Sequence, residues 1–186
     1  MTTSKTLSGK VALVTGGSRG IGAASALALA DQGADVAISY VSRSDKAEAV
    51  VAELLAKGVR AKAFKADQEN TDQVRMLVAN TVAYFERLDI VLANAGVLEM
   101  QSVDSADDTA ALDRLYRINL DGVVTLIRAA SRVMADEGRI IAISSQVATR
   151  LGLNGLADYT ATKAAIQGKK FSPARPRVRP CRCPQR

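Results

Sequence analysis

Tyr159 and Lys163 could carry out acid–base chemistry together. They are four positions apart, so a helix would place both on one face. A neighbouring ammonium stabilises a phenolate and lowers the pKa of a phenol from about 10 towards neutral pH. Tyr159 could then donate a proton to a carbonyl oxygen or accept one from an alcohol. The chain has no histidine, which excludes hydrolysis by a Ser–His–Asp triad.

Two serines precede this pair, where the fifth predicted strand ends, and either hydroxyl could hydrogen-bond the reacting oxygen. A donor there would stabilise the negative charge that develops on that oxygen. We favour Ser145 because of its sequence distance to Tyr159, and Ser144 is the alternative. A Tyr-x-x-x-Lys pattern alone is common on helix surfaces, so its interpretation depends on the rest of the chain.

A glycine-rich segment upstream suits a bound phosphate. It lies between the first predicted strand and the first predicted helix and reads Thr15-Gly16-Gly17-Ser18-Arg19-Gly20-Ile21-Gly22. Glycines let the backbone turn tightly and approach a pyrophosphate, and a helix N-terminus offers free N–H groups. The segment predicts a dinucleotide site, and an ordinary glycine-rich turn is the alternative. The candidate cofactor-binding residues are Thr15, Gly16, Ser18, Arg19, Gly20, Ile21 and Gly22.

The second predicted strand bears on the choice between NADP(H) and NAD(H). NAD sites of this kind end that strand with an acid that binds the ribose hydroxyls, and sites for a 2′-phosphate do not. Here the strand ends Ser39-Tyr40-Val41-Ser42-Arg43, without a carboxylate. Arg19 could also contact the phosphate through two N–H groups. We therefore predict NADP(H), with NAD(H) less favoured, and assign Tyr40, Ser42 and Arg43 to the site. The alternative is that both arginines are solvated surface charges.

The elements that must position these residues alternate along the chain. Short apolar runs predict strands at 11–14, 35–40, 61–66, 88–93 and 139–144. Helical patterns occupy 20–32, 45–57, 71–86 and 109–134, and a last helix begins near residue 157. Asn70 or Thr71 is expected to cap the third helix. This order predicts an α/β fold, a doubly wound parallel sheet with helices on both faces.

The loop spacing Thr-Gly-x-x-x-Gly-x-Gly resembles that of the short-chain dehydrogenase/reductase family, and later motifs agree with it in order. The resemblance covers about residues 7–168 and is greatest to the 3-oxoacyl-acyl-carrier-protein reductase type. Ala93 differs from the family, since a second Asn is common there. The matching positions are Asp67 at the adenine, Asn94, Ala95 and Gly96 in an Asn-Ala-Gly motif, and the catalytic set Asn119, Ser145, Tyr159 and Lys163. Gln68, Tyr159 and Lys163 are also expected to bind the cofactor.

This resemblance implies a Rossmann-type fold and an NADP(H)-dependent oxidoreductase that interconverts a carbonyl and a secondary alcohol of a small-molecule substrate. It implies that Tyr159 is the general acid/base and that Asn119 kinks its helix and holds a water linking Lys163 to solvent. NADP-preferring members carry a basic residue at the position of Arg19. Members are often homo-oligomers, although the helix pair that mediates this is incomplete here.

Residues 169–186 differ in composition from the rest. They contain all four prolines, both cysteines and seven of the 25 basic residues, and no acid. Frequent prolines preclude a continuing helix, so we predict a disordered tail after a dinucleotide-binding domain at 1–168. Cys181 and Cys183 lack a second ligand pair, so no metal site is expected. The tail could bind nucleic acid unspecifically through its charge, and no specific nucleic-acid partner is predicted.

The resemblance stops inside the last predicted helix. Family members continue through two more strands and two helices, and we attribute the difference to a frameshift or a misjoined reading frame. The fifth strand would then form an exposed, lightly covered sheet edge. For the chain as it stands we predict weak cofactor binding and little or no turnover. The alternative function is that of a catalytically inert nucleotide-binding fragment.

Composition predicts a cytoplasmic protein. Residues 1–10 are polar, unlike a secretory signal, and no apolar run is long enough for a bilayer. Residues 1–168 contain no cysteine, which is typical of a reducing compartment. Outside 169–186 the acidic and basic residues nearly balance, so neither membrane nor nucleic-acid binding is expected of that part.

Overall fold

A computed structural model describes residues 5–102, 104, 109–149 and 154–168. Within these ranges the chain forms one parallel sheet with the strand order β3-β2-β1-β4-β5. The strands are β1 Val11–Val14, β2 Asp35–Tyr40, β3 Ala61–Lys65, β4 Ile90–Ala93 and β5 Arg139–Ala142. The predicted disordered tail, with Cys181 and Cys183, lies outside the described residues.

Helices follow the strands, as the sequence predicted. They are α1 Gly20–Asp31, α2 Ser44–Ala56, α3 Thr71–Phe85, α4 Ala110–Tyr116, α5 Val123–Ala130 and α6 Ala157–Gly168, with a short 3₁₀ turn at Gln146–Ala148. Asn70 caps α3, since its side chain accepts the N–H groups of Asp72 and Gln73. The first of the two predicted caps is therefore confirmed.

The predicted helix at 109–134 differs from the observed one. It is divided by a π-helical segment, Arg117–Gly122, and it ends at Ala130. A π turn inserts one extra residue into the helix and changes the direction of the side chains around it. β5 also ends two residues earlier than the predicted strand, so both serines that follow it lie in a loop.

Both faces of the sheet carry an apolar core. α3 and α5 cover one face through residues such as Leu77 and Leu126, and α1 and α2 cover the other through residues such as Ala26 and Leu54. All four residues of β1 are buried, which fits the continuous apolar run of a strand covered on both sides. The predicted doubly wound α/β fold is confirmed.

The strand order places a crevice at the centre of the sheet. The chain proceeds outward from β1 through β2 to β3 and then returns to the other side of β1 with β4 and β5. Loops that leave the carboxyl ends of β1 and β4 therefore diverge to opposite faces, and open α/β sheets bind ligands at such a point. The glycine-rich segment follows β1, and Asn94-Ala95-Gly96 follows β4.

A buried carboxylate joins the strands at the opposite end of the sheet. Asp89 accepts the backbone N–H of Val11 at 2.9 Å and two N–H groups of Arg87 at 2.7 and 2.8 Å, and Lys10 lies 3.4 Å away. Burial alone would raise the pKa of Asp89, but the hydrogen bonds from Arg87 and Val11 and the two nearby cations outweigh it, so the pKa lies below its usual value.

Replacing Asp89 by Asn should lower the free energy of unfolding by about 1.5–3 kcal/mol near pH 7, because charged hydrogen bonds are lost. A carboxylate with a depressed pKa stabilises the fold above the unfolded-state value, about 3.9, and this contribution disappears as the pH falls through the folded-state value. Urea unfolding from about pH 7 down to about pH 2 should therefore show variant and wild type converging in acid.

Asp31→Asn is a matched control, because Asp31 is exposed and pairs with Lys57 at the helix surface. Loss of this ion pair should lower the free energy of unfolding by less than about 1 kcal/mol at any pH. Equal destabilisation by the two variants, or an Asp89→Asn effect that does not diminish in acid, would contradict this account of Asp89.

Candidate cofactor and active site

The Thr15 hydroxyl joins the loops after β1 and β4. Thr15 is fully buried, and its Oγ1 accepts the N–H groups of Asn94 and Ala95, each at 3.0 Å. The Asn94 side-chain amide donates in return to the carbonyl oxygens of Thr15 at 2.9 Å and Gly16 at 3.3 Å. Two predicted motifs that are far apart in the sequence are thus held together at the crevice.

The glycines of this loop have different physical requirements. Gly22 lies against the loop itself, since a Cβ there would be 2.3 Å from the Gly16 carbonyl oxygen and 2.6 Å from the Asn94 amide nitrogen. Gly20, the first residue of α1, has φ +55°, and the space around a Cβ at that position is open. The backbone is therefore packed tightly on the inner side of the turn and leaves room at the start of α1 for a phosphate.

Ser39 supports the loop and was not among the predicted site residues. It is buried near the end of β2, where its hydroxyl accepts the Gly16 N–H at 3.1 Å and its carbonyl oxygen accepts the Gly17 N–H at 2.9 Å. The available signal was a hydroxyl residue within an otherwise apolar strand, because a buried hydroxyl needs a hydrogen-bond partner.

The two predicted phosphate-binding arginines differ in their side-chain partners. Arg19 precedes α1, is exposed, and its side chain makes no hydrogen bond or ion pair with any described residue. Arg43 precedes α2 and donates from Nε and Nη2 to the two carboxylate oxygens of Asp45, at 3.0 and 2.7 Å. Tyr40 is partly buried at the end of β2, and Ser42 is exposed beyond it.

The predicted adenine contacts lie between β3 and α3. The Asp67 carboxylate accepts the N–H of Glu69 at 2.9 Å and so stabilises the turn into the helix. Gln68 is 5% exposed and packs against Gly122 of the π-helical segment, and its Nε2 has no hydrogen-bond partner among the described residues. The loop between β3 and α3, where the adenine is predicted to bind, is therefore in contact with the helix that carries Asn119.

Asn119 ties three parts of the site together. It lies in the π-helical segment and is fully buried. Its Oδ1 accepts the Val97 N–H at 2.9 Å, and its Nδ2 donates to the Val97 carbonyl oxygen at 2.9 Å and to the Thr162 hydroxyl at 3.4 Å. The loop after β4 and helix α6 are therefore fixed relative to the helix of Asn119.

The amine of Lys163 is enclosed beside this network. Lys163 is 7% exposed, and its Nζ donates to the Ile143 carbonyl oxygen at 3.2 Å and lies 5.7 Å from the centroid of the Tyr159 ring. Burial lowers the pKa of Lys163. A Cβ at Gly96 would lie 3.4 Å from this Nζ and 3.1 Å from Asn119 Oδ1. The absence of a side chain at Gly96 therefore lets the amine lie against the loop after β4.

The two candidate serines differ in their partners. The Ser144 hydroxyl donates to the Lys163 carbonyl oxygen at 3.0 Å, which fastens the loop after β5 to α6. The Ser145 hydroxyl makes no hydrogen bond with any described residue, and the side chain is only partly buried. Ser145 therefore has the hydroxyl that can turn towards a substrate oxygen.

A second contact fixes the start of α6, and no sequence signal suggested it. Tyr116 at the end of α4 donates its phenolic hydrogen to the Asp158 carboxylate at 3.1 Å. Burial, followed by the nearby carboxylate, raises the pKa of Tyr116. Asp158 directly precedes Tyr159, so this bond holds the N-terminal turn of the helix that presents the candidate acid/base.

Comparison with known proteins agrees with this arrangement. A family model described as short chain dehydrogenase matches residues 10–172. The 3-oxoacyl-[acyl-carrier-protein] reductase of Synechocystis sp. is 42% identical over 167 residues, which are 87% of this chain and 66% of that protein. Versicolorin reductase 1 of Aspergillus parasiticus is 41% identical over 160 residues, with 86% of this chain and 61% of that protein covered.

Solved structures give the same result. A short chain dehydrogenase from Burkholderia cenocepacia in complex with NADP is 44% identical with a TM-score of 0.84, and the match covers 88% of this chain and 66% of that one. A blue fluorescent protein from a metagenomic library, in complex with NADPH, is 42% identical with a TM-score of 0.84 and the same coverage.

The chain therefore spans about three fifths to two thirds of the length of the relatives it matches. Among the described residues, no helix is both long and apolar enough to cross a membrane. The strand order, the linked Thr15 and Asn94 loops and the family match together lead to one assignment: this chain belongs to the short-chain dehydrogenase family of oxidoreductases.

Proposed function

We propose that this chain carries the site of an NADP(H)-dependent oxidoreductase that interconverts a carbonyl and a secondary alcohol of a small molecule. The observation that carries the proposal is the position of the Lys163 amine. It lies near the Tyr159 ring and close to Gly96, in the loop after β4. An enclosed ammonium beside a tyrosine suits proton transfer. We assign the dinucleotide-binding domain to residues up to 168.

The residues at the crevice fit a dinucleotide. The open space at Gly20 and the free N–H groups at the start of α1 suit a pyrophosphate. Gly16, Ser18 and Ile21 would line it, with the buried Thr15 and Gly22 supporting the turn from beneath, and Asp67 and Gln68 would lie at the adenine. Asn94, Ala95 and Gly96 would pass under the nicotinamide ribose, near Tyr159 and Lys163. When bound, the cofactor supplies or accepts the hydride.

The chain's own residues would handle the proton and the oxygen. In reduction, Tyr159 donates its phenolic proton to the carbonyl oxygen, and in oxidation it accepts the proton of the alcohol. Ser145 donates a hydrogen bond to the same oxygen and stabilises its negative charge. Lys163 has a pKa lowered by burial, so it returns a proton towards Tyr159 more readily than an exposed lysine. Asn119 positions Lys163 by holding the loop after β4 and helix α6 in place.

Three observations favour NADP(H) over NAD(H). No carboxylate ends β2, where an acid would bind ribose hydroxyls. The guanidinium of Arg19 has no partner among the described residues and can contact a phosphate. The two structural relatives described above were solved with NADP and NADPH.

The alternative is a protein that binds the dinucleotide without turnover. The observation in its favour is that β5 pairs only with β4 among the described strands, and that Ile141 and Ala142 on β5 are partly exposed. A strand in this position gives less support to the loop of Ser144 and Ser145 and to α6. Cofactor binding and turnover must therefore be measured separately.

Gly22→Ala should weaken NADPH binding at least about tenfold, because the added methyl would clash with the Gly16 carbonyl oxygen and force the loop to shift. NADPH fluorescence titration of the purified chain measures this. Gly168→Ala is the control, since that position has open space around it. Failure of the wild type to show saturable binding, or unchanged binding by Gly22→Ala, would refute the proposed cofactor site.

Tyr159→Phe should weaken NADPH binding by less than about tenfold, because one neutral hydrogen bond is lost. It should lower the slow oxidation of NADPH with carbonyl substrates at least about 100-fold, because the proton donor is lost. Tyr84→Phe, on the exposed surface of α3, is the control and should retain the rate. NADPH absorbance measures turnover. Saturable binding with no wild-type turnover on a broad carbonyl panel would favour the inert alternative instead.

A further inference from the structure

One edge of the Arg43 guanidinium, formed by Nε and Nη2, is engaged by a neighbouring carboxylate. Two parallel hydrogen bonds, of 3.0 and 2.7 Å, join its Nε and Nη2 to the two oxygens of Asp45. The hydrogen bond from Arg43 is the largest of the causes that lower the pKa of Asp45 to about 2, so Asp45 is ionised at neutral pH. Both side chains are exposed, at 58% and 64%, and a ligand from solvent can therefore reach them.

The engaged Nε–Nη2 edge of Arg43 is one that a phosphate could also use. Arginine binds carboxylates and phosphates through the same planar pair of N–H groups. Arg43 follows the end of β2, the position at which dinucleotide folds discriminate between a ribose hydroxyl and a 2′-phosphate. Asp45 thus occupies one of the paired contacts that Arg43 could offer to the phosphate.

Asp45 also adds a negative charge to a position where β2 itself supplies none. β2 ends without an acid, and of the two predicted phosphate-binding arginines, Arg19 has no side-chain partner among the described residues whereas Arg43 has Asp45. A 2′-phosphate entering here would meet one free guanidinium and one whose Nε–Nη2 edge is already held by a carboxylate. A dinucleotide without that phosphate would meet no such competition.

We propose that Asp45 is a specificity-determining residue that competes with the 2′-phosphate for Arg43 and so reduces the preference for NADP(H) over NAD(H). This inference rests on the proposed cofactor site. Because exposed ion pairs are weak, the competition changes affinity severalfold and does not abolish NADP(H) binding. The chain is accordingly a less selective NADP(H) binder than its two arginines alone would make it.

The test compares NADPH and NADH binding by fluorescence titration. Asp45→Asn keeps the size of the side chain, removes its charge and frees the Nε–Nη2 edge of Arg43, so the Kd for NADPH should fall about two- to fivefold. The Kd for NADH should change by less than about twofold. Asp31→Asn is the matched control: it removes the same charge and breaks an exposed ion pair with Lys57 at the far end of α1, and it should change neither constant.

The double variant Arg43→Gln/Asp45→Asn separates competition from general repulsion. Without Arg43, the gain in NADPH affinity from Asp45→Asn should largely disappear. A gain that persists in the Arg43→Gln background, an equal gain for NADH, or an equal gain from Asp31→Asn would overturn the inference and leave the cofactor site intact. Loss of saturable binding of both dinucleotides by the wild type would instead refute the proposed function, and this inference with it.

Discussion

The buried hydroxyl of Thr15 is the interaction on which the arrangement of the site depends. It accepts two N–H groups from the loop after β4 while Asn94 returns hydrogen bonds to the loop after β1. A parallel sheet brings these two loops to the same edge, but it leaves their backbone groups without partners. The reciprocal bonds satisfy those groups and close the inner side of the crevice, so that the proposed cofactor site lies on the open side, at Gly20.

From this junction the geometry extends to the reactive side chains through short, buried contacts. Gly96 follows the junction and lies beside Asn119 and the Lys163 amine. The π-helical segment is a local irregularity with a clear benefit: it places the Asn119 amide against the backbone of Val97, where it forms a pair of 2.9 Å bonds. An irregular helix turn costs regular hydrogen bonding, and such turns are frequent at functional sites.

Charge is distributed differently at the two ends of the sheet. At the amino ends of the strands, Asp89 is buried and surrounded by hydrogen-bond donors and cations. These contacts stabilise the fold and hold the carboxylate in one position. At the carboxyl ends, the charged groups that would meet the cofactor phosphate are exposed, and one of them, Arg43, is shared with Asp45. Exposed pairs exchange partners at low cost, so affinity and selectivity can be adjusted there without loss of the fold.

The sequence by itself determined the strand and helix order, the glycine-rich loop and a cap at Asn70 or Thr71, because glycine, apolar periodicity and capping residues act over a few neighbouring positions. It could not determine that Ser144 bonds to Lys163 and leaves Ser145 free, or that Ser39 supports the glycine loop. Those outcomes depend on which side chains meet across the sheet and on which partner each hydroxyl finds. Only the tertiary structure brings such atoms within hydrogen-bonding distance, since the residues involved are far apart in the chain.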